Sequence, residues 1–314
     1  MYDIVGKRKW YFLISSCLIV PGIIAMIIST LTVGTPVRLS IDFTGGTFME
    51  LAFEQPVQPA EVRAVFVAAG YSSTSVQTTN EGRQAIVRTE ALEPEAKERI
   101  KATLAQQFGA VKEVYSDTLG AQVGQEVTVS ALVAVAVASL AVIGYIVLAF
   151  RKVPNPVRYG ACAIFSMVHN VLVVLGLFSI LGLLLGWEVD ALFLTAVLTV
   201  IGFSVQDTIV VFDRIRENIP RHRGEPFEDI VNHSLLQTIH RSLVTQTNAM
   251  FVMVALLFFG GATIQQFILA MLVGLLSGTY SSLFNAVPLL VVWEKGEIPA
   301  LLRRLFRRGQ PAAA

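Results

Sequence analysis

Residues Ala191 to Phe212 read ALFLTAVLTVIGFSVQDTIVVF, and DRIREN follows directly at 213–218. The run is apolar and long enough to cross a bilayer. It carries one acid, Asp207, about 8 Å inward from Phe212 along a helix of 1.5 Å rise per residue. No basic residue stands near it in the sequence to neutralise it. A carboxylate in hydrocarbon is costly and by default marks a function rather than a packing choice.

The rest of the chain has the same character. Of its 314 residues 54% are hydrophobic and 15% charged, and the mean hydropathy is +0.63. That balance belongs to a membrane protein rather than a soluble domain. Besides 191–212, apolar runs occupy Trp10–Val33, Val127–Phe150, Tyr159–Leu185, a stretch from near Ile239 to Gly261, and Ile264–Trp293. Six spans follow. The first lies behind Lys7-Arg8-Lys9 but is too long for a signal peptide and lacks a small-residue cleavage site, so it reads as an uncleaved span. Cys17 and Cys162 both fall inside apolar runs, where they read as packing residues. No basic stripe interleaved with aromatics points to nucleic acid. No nucleophile elbow, metal-spaced His/Cys cluster or phosphate-binding glycine loop suggests an enzyme, a cofactor or bound ATP.

Basic residues sort by loop. Lys7, Arg8 and Lys9 precede the first span, and Arg151, Lys152 and Arg158 separate the second and third. Arg214, Arg216, Arg221, Arg223 and Arg241 separate the fourth and fifth, and Lys295, Arg303, Arg304, Arg307 and Arg308 follow the sixth. The short loops 186–190 and 260–265 carry none. Because Lys and Arg in short loops stay inside, both termini are expected in the cytoplasm and the long segment between the first two spans outside. The expected organisation is a cytoplasmic N-terminus and first helix at 1–33, an extracytoplasmic domain and linker at 34–126, a five-helix bundle at 127–293 and a basic cytoplasmic tail at 294–314.

The outer segment predicts a small α+β domain. Val37–Phe43 and Thr47–Phe53 alternate as strands around a bend or bulge at Thr44-Gly45-Gly46. A helix Pro59–Ala69 stops at Gly70; strands Ser75–Thr79 and Gln84–Thr89 are joined through Asn80-Glu81-Gly82. A second helix, Pro94–Phe108, stops at Gly109 before a strand at Val111–Ser116. The order strand–helix–strand–strand–helix–strand is ferredoxin-like. The domain has no histidine or cysteine, and its charges read as a solvated or docking surface.

Within the spans, Ser204, Asp207 and Thr208 share a helix face by their i, i+3, i+4 spacing. In the fifth span Arg241, Thr245 and Asn248 share another, with Arg241 at a depth that matches Asp207. An Asp207–Arg241 pair is therefore expected, and a carboxylate whose charge follows the distance to a guanidinium is what coupling of ion flow to movement requires. Static glue between two helices is the competing reading of Asp207, and snorkelling to the headgroups that of Arg241. His169-Asn170 in the third span reads as a buried hydrogen-bonded pair or a relay. Gly274 and Gly278 form a GxxxG pattern suited to close helix packing. The apolar residues Phe227, Ile230, Val231 and Leu235 after Pro226 predict a short helix lying on the cytoplasmic surface.

IDFTGG after the first span, DTIVVFDRIREN ending the fourth and HRSLVTQT opening the fifth together resemble the SecF family of bacterial protein-export translocase subunits, within the resistance–nodulation–division superfamily. The resemblance covers essentially the whole chain. It implies a SecD partner of similar six-span design, action beside the SecYEG channel on unfolded preprotein, and use of the proton (or sodium) gradient at the cytoplasmic membrane. The family's intramembrane aspartate and arginine fall on Asp207 and Arg241. Two positions depart from the family's usual pattern: Asn170 stands where an acid is common, and Thr245-Gln246-Thr247-Asn248-Ala249 replaces Thr-Ser-Gly-Thr-Thr. The alternatives are a small-molecule or lipid exporter of the resistance–nodulation–division type and a scaffold that does not transport.

Overall fold

The structure is a computed structural model that describes residues 3–151, 155–260 and 262–296. Lys152, Arg303, Arg304, Arg307 and Arg308, with most of the expected tail at 294–314, lie outside the described residues. The chain divides into two compact units, a helical one (1–36, 135–183 and 192–314) and an α/β one (37–134 and 184–191).

The α/β unit is built on a four-stranded antiparallel sheet of order β2-β3-β1-β4, from β1 (Gly46–Phe53), β2 (Ser75–Thr79), β3 (Gln84–Thr89) and β4 (Val111–Leu119). Its helices are α3 (Pro59–Ala68) and α4 (Pro94–Phe108). This is the ferredoxin-like arrangement. Strand alternation turns Met49, Leu51 and Phe53 of β1 inward, where they meet Val62, Val65 and Phe66 of α3 and Ile100 and Leu104 of α4. The β2–β3 hairpin turns through Asn80, Glu81 and Gly82, all with positive φ.

One expected strand is absent. Val37–Phe43 does not join the sheet: Leu39 makes a single parallel bridge to Val189, and the chain then coils into a helical turn, α2 (Ile41–Thr44). The Ser40 hydroxyl accepts from the Asp42 N–H and caps that turn, a local competitor that the alternation of apolar residues does not reveal. The bulge lies elsewhere too. Gly45 and Gly46 have φ of 71° and 124° and lead into β1, whereas the register shift falls between Glu50 and Leu51 against β4. Beside Gly46 the Thr89 carbonyl leaves no room for a Cβ.

Six helices among the described residues are long and apolar enough to span a membrane. They comprise α1 (Arg8–Val33), α5 (Ala121–Ala149), α6 (Pro156–Leu185), α7 (Ala191–Asn218), α8 (Phe227–Phe259) and a sixth in two parts, α9 (Ala262–Ser281) and α10 (Val287–Glu294). A π-helical turn, Ser282–Ala286, joins those parts. Pro288 explains it: with no N–H, proline breaks the α-helical bond to the fourth residue before it, and the backbone widens just upstream. On α1 and α6, Gly22 and Gly176 meet backbone to backbone, and a Cβ on either would stand 2.7 Å from the other's Cα. Small residues permit that approach where no hydrophobic effect drives helices together.

The expected short surface helix after Pro226 is not a separate element. Residues 227–259 form one continuous helix. No glycine or proline interrupts it, and its first turns are fastened by Arg8–Glu228 (2.7 Å), by the Ile4 N–H to Asn232 Oδ1 (2.9 Å) and by Asn218 Nδ2 to Ser234 Oγ (2.9 Å). Ile230, Val231 and Leu235 are buried in protein rather than laid on a membrane surface, and Phe227 is half-buried.

Candidate functional site

The helical unit encloses a polar cluster at its centre. Asn170 of α6 is fully buried. Its Oδ1 accepts from Ser277 Oγ (2.9 Å) and Ser281 Oγ (2.8 Å) of α9, and its Nδ2 donates to Ser204 Oγ of α7 (2.7 Å). Ser166 Oγ is 2.7 Å from Ser281 Oγ. Ser282, the first residue of the π turn, donates to the Ser204 carbonyl (2.9 Å), and its hydroxyl lies 3.0 Å from Thr208 Oγ1. A single amide thus organises three helices through hydroxyls. It offers an acceptor to α9 and a donor to α7 at once, a division of labour that a carboxylate lacks. His169 Nδ1 stands 3.3 Å from Asn170 Oδ1, and its buried Nε2 has no partner among the described residues.

Gly274 and Gly278 bring α9 against α7. A Cβ on Gly274 would collide with the Val200 side chain, and one on Gly278 would stand 3.5 Å from the Ser204 Cβ. The missing side chains leave the space in which Ser204 reaches the cluster.

One turn further along α7, Asp207 is 5% exposed. Its Oδ2 accepts from Gln246 Nε2 of α8 at 2.8 Å. Ser242, one turn before Gln246 on α8, is also buried, and neither its Oγ nor Gln246 Oε1 has a partner among the described residues. The carboxylate is therefore held by a neutral amide, beside two oxygens with unused capacity. Unmet buried polar capacity is costly, about 1–3 kcal/mol per group.

The expected Asp207–Arg241 pair does not form. Arg241, Thr245 and Asn248 are exposed on α8, and Thr245 Oγ1 bonds only the Arg241 carbonyl one turn back (2.9 Å). Among the described residues no ion pair joins Arg241 to Asp207. Position along the span leaves the rotation of α8 undetermined. That rotation is fixed one to two turns earlier in the helix, where Arg214 Nε and Asn218 Nδ2 both donate to Gln237 Oε1 (2.5 and 3.1 Å) and Asn218 also reaches Ser234. The buried stripe is consequently Ser234, Thr238, Ser242, Gln246. A small polar residue at every fourth position is a signal legible in the sequence, and it identifies Ser242 and Gln246 as the residues that face Asp207.

Residues 99–296 match the family described as protein export membrane protein SecD/SecF, C-terminal, and residues 30–57, which include Gly45 and Gly46, match the SecD/SecF GG motif. The protein translocase subunit SecF of Thermobaculum terrenum is 48% identical over 100% of this chain and 99% of that protein. The protein translocase subunit SecDF of Bacillus subtilis is 34% identical, over 95% of this chain and 39% of that longer protein. The crystal structure of SecDF, a translocon-associated membrane protein from Thermus thermophilus, superposes with a TM-score of 0.77 at 29% identity, covering 94% of this chain and 39% of that one. Here the comparisons and the geometry converge: the chain belongs to the SecF family of protein translocase subunits.

Proposed function

We propose that this chain is an accessory subunit of the Sec protein translocase that acts with a SecD-like partner to convert a proton or sodium gradient into preprotein export, with Asp207 as its ion-coupling carboxylate. The observation that carries the reading is a buried acid within a membrane span, held by Gln246 rather than by a cation, so that its charge can change without breaking an ion pair. The neighbouring hydroxyls of Ser204 and Thr208, the His169–Asn170 pair and the π turn support it, since π turns inside helices gather at functional sites. The SecDF relatives, of which this chain spans 39%, supply the case for the partner.

In this reading Arg241, Thr245 and Asn248 serve the partner. A polar stripe on an exposed face of a spanning helix is poorly tolerated against lipid and is covered by protein. Arg241 then supplies its countercharge across that interface. The asymmetry of basic loop residues favours cytoplasmic termini, with 34–126 on the outer side of the bacterial cytoplasmic membrane, where unfolded preprotein emerges from the SecYEG channel.

Asp207→Asn should leave assembly with the SecD partner intact and abolish the component of export that collapses with the ion gradient, measured in proteoliposomes or cells. Gradient-dependent export that survives the substitution would overturn the coupling role. Comparing proton with sodium gradients in the same assay identifies the ion.

A further inference from the structure

The turn from Ser40 to Gly46 holds together parts of the α/β unit that are far apart in sequence. Its own shape is set locally. The Ser40 hydroxyl accepts from the Asp42 N–H (3.1 Å), and the Ser40 carbonyl accepts from the N–H groups of Phe43 and Thr44 (both 3.2 Å). Thr44 Oγ1 adds a bond to the same carbonyl (3.0 Å), and the Gly45 N–H closes onto the Ile41 carbonyl (2.8 Å). From this closed turn the Asp42 side chain reaches out: its Oδ2 accepts from the N–H of Ala191, the first residue of α7 (2.9 Å). Two backbone bonds bring the segments side by side. The Val189 N–H donates to the Arg38 carbonyl (2.7 Å), and the Ser40 N–H donates to the Val189 carbonyl (2.9 Å).

The Asp42 contact answers a need of the helix. The first four N–H groups of an α-helix have no partner within it, and a side chain at the N-cap position serves those of the second and third residues. The N–H of the first residue must find its acceptor elsewhere, and here a carboxylate 149 residues earlier supplies it. Negative charge also suits the positive end of the helix macrodipole. The same turn seats a second helix. A Cβ on Gly124, in the first turn of α5, would stand 2.6 Å from the Gly45 nitrogen and 3.0 Å from the Phe43 carbonyl oxygen. Thr128 Oγ1, one turn further along α5, lies 3.3 Å from that carbonyl. The chain then enters β1 at Gly46, against the Thr89 carbonyl of β3. The backbone of one turn is thus pressed between the start of α5 and the sheet, while its acidic side chain holds the start of α7.

We propose that Asp42 is a positioning residue for α7, and that the turn carrying it is a joint by which the α/β unit sets the starts of α5 and α7 together. Such a joint works through directional bonds and close backbone approach rather than through buried apolar area, so a small shift of the turn is felt at both helices. No proline interrupts α7 between Ala191 and Asn218, and Asp207 lies about 24 Å along it from Ala191 at 1.5 Å per residue. Where α7 begins therefore bears on where Asp207 sits. The Val189 bridge and the Arg88–Glu188 pair (2.7 Å) hold the 186–190 loop independently of Asp42. Removing the Asp42 carboxylate accordingly loosens the first turn of α7 and leaves the loop in place. The consequence for export rests on the ion-coupling reading of Asp207; the joint itself does not.

The test is residue-resolved hydrogen exchange of the full chain in nanodiscs, with export followed at equal amounts of the complex assembled with the SecD-like partner. Asp42→Ala should lower protection of the Ala191 amide about fivefold, the usual effect of losing a cap. The Val189 amide and the Val87 amide of β3 should keep theirs, which reports a docked loop and an intact sheet. Asp42→Asn retains an acceptor and should restore the Ala191 amide. Gly124→Ala, on the other helix, should also lower protection at Ala191, because the turn must give way to the added Cβ. Asp42→Ala should reduce the gradient-dependent component of export by a similar factor, and Asp42→Asn should recover it. Unchanged Ala191 protection in Asp42→Ala overturns the joint, as does a folded Gly124→Ala chain that keeps that protection. An Asp42→Asn chain that behaves like Asp42→Ala overturns the hydrogen bond as its basis. Lowered protection with gradient-dependent export intact overturns the positioning role. Asp207→Asn should abolish coupled export with Ala191 protection unchanged. Coupled export that survives Asp207→Asn sinks the ion-coupling reading, and the exchange measurements still decide the joint.

Discussion

In the α/β unit the buried side chains are Met49, Leu51, Phe66, Val87 and Leu104, whereas at the centre of the helical unit they include Asn170, Ser204, Asp207, Ser277 and Ser281. The outer surface of the helical unit is correspondingly apolar: Leu31, Leu140, Phe251, Phe258 and Phe259 are all exposed. Water surrounding the first unit drives apolar groups inward and makes their burial the source of stability. Hydrocarbon around the second removes that drive, and what then specifies helix contacts is close backbone approach and hydrogen bonding between polar groups. The same residue type therefore has different energetic weight in the two units.

Truncating one phenylalanine in each unit gives the largest expected contrast. Phe66→Ala opens a cavity in the filled interior of the α/β unit and should cost about 3–5 kcal/mol. Phe259 is 92% exposed at the end of α8, and Phe259→Ala should change the stability of the helical unit by less than about 0.5 kcal/mol. Denaturant melts of the nanodisc-embedded chain, followed by protease cleavage mapped to each unit, measure both. Equal losses would mean that Phe259 is packed in a way its exposure does not reveal.

This contrast also explains which parts of the structure the sequence discloses. In the α/β unit, strand alternation and the glycine stops at Gly70 and Gly109 report directly on burial, and the sheet order follows from them. The missing first strand is the exception, because the Ser40–Asp42 cap acts locally and leaves the apolar pattern untouched. Apolar length likewise gives the six spans. A lipid-facing helix is apolar on most of its circumference, however, so hydropathy says little about its rotation. Arg241 and Ser242 are adjacent in sequence and about 100° apart around α8, and only the contacts of Gln237 and Ser234 with Arg214 and Asn218 decide which of them turns inward. The π turn was hidden for a related reason: Pro288 announces a disturbance, but its position depends on how Ser282 reaches Ser204.

The polar centre can be tested by replacing its organiser. Asn170→Leu is close in volume and apolar, a mild change in the interior of the α/β unit but not here. It strands the hydroxyls of Ser204, Ser277 and Ser281, and the expected cost is about 2 kcal/mol, since partners that rotate toward helix carbonyls recover part of the loss. Thermal unfolding in detergent should show the destabilisation, and Asn170→Gln should not rescue it because the longer amide moves both its donor and its acceptor. A neutral Asn170→Leu would show that the hydroxyls are satisfied by water and that the cluster is a hydrated cavity rather than a direct network.

The smallest effect belongs to the charges of the α/β surface, where Glu113 of β4 sits between Lys97 (2.8 Å) and Lys101 (3.0 Å) of α4. The Lys97 hydrogen bond, outweighing the opposing effect of burial and aided by Lys101, holds the Glu113 carboxyl below its ordinary value of 4.5. Hydrogen bonds that Lys101 donates to Glu113 and Glu98 raise it above 10.5. A depressed carboxyl contributes stability above its unfolded value and loses it as pH falls through the folded one. A raised lysine contributes below its unfolded value and loses it as pH rises through the folded one. The triad should thus add a constant increment between those limits and fade on either side. Because solvent screens it, the increment is under about 1 kcal/mol. Glu113→Gln should lower the stability of the α/β unit by that amount at neutral pH and by nothing once acid has protonated Glu113, so the two urea-denaturation curves should converge as pH falls through the lowered folded value of Glu113.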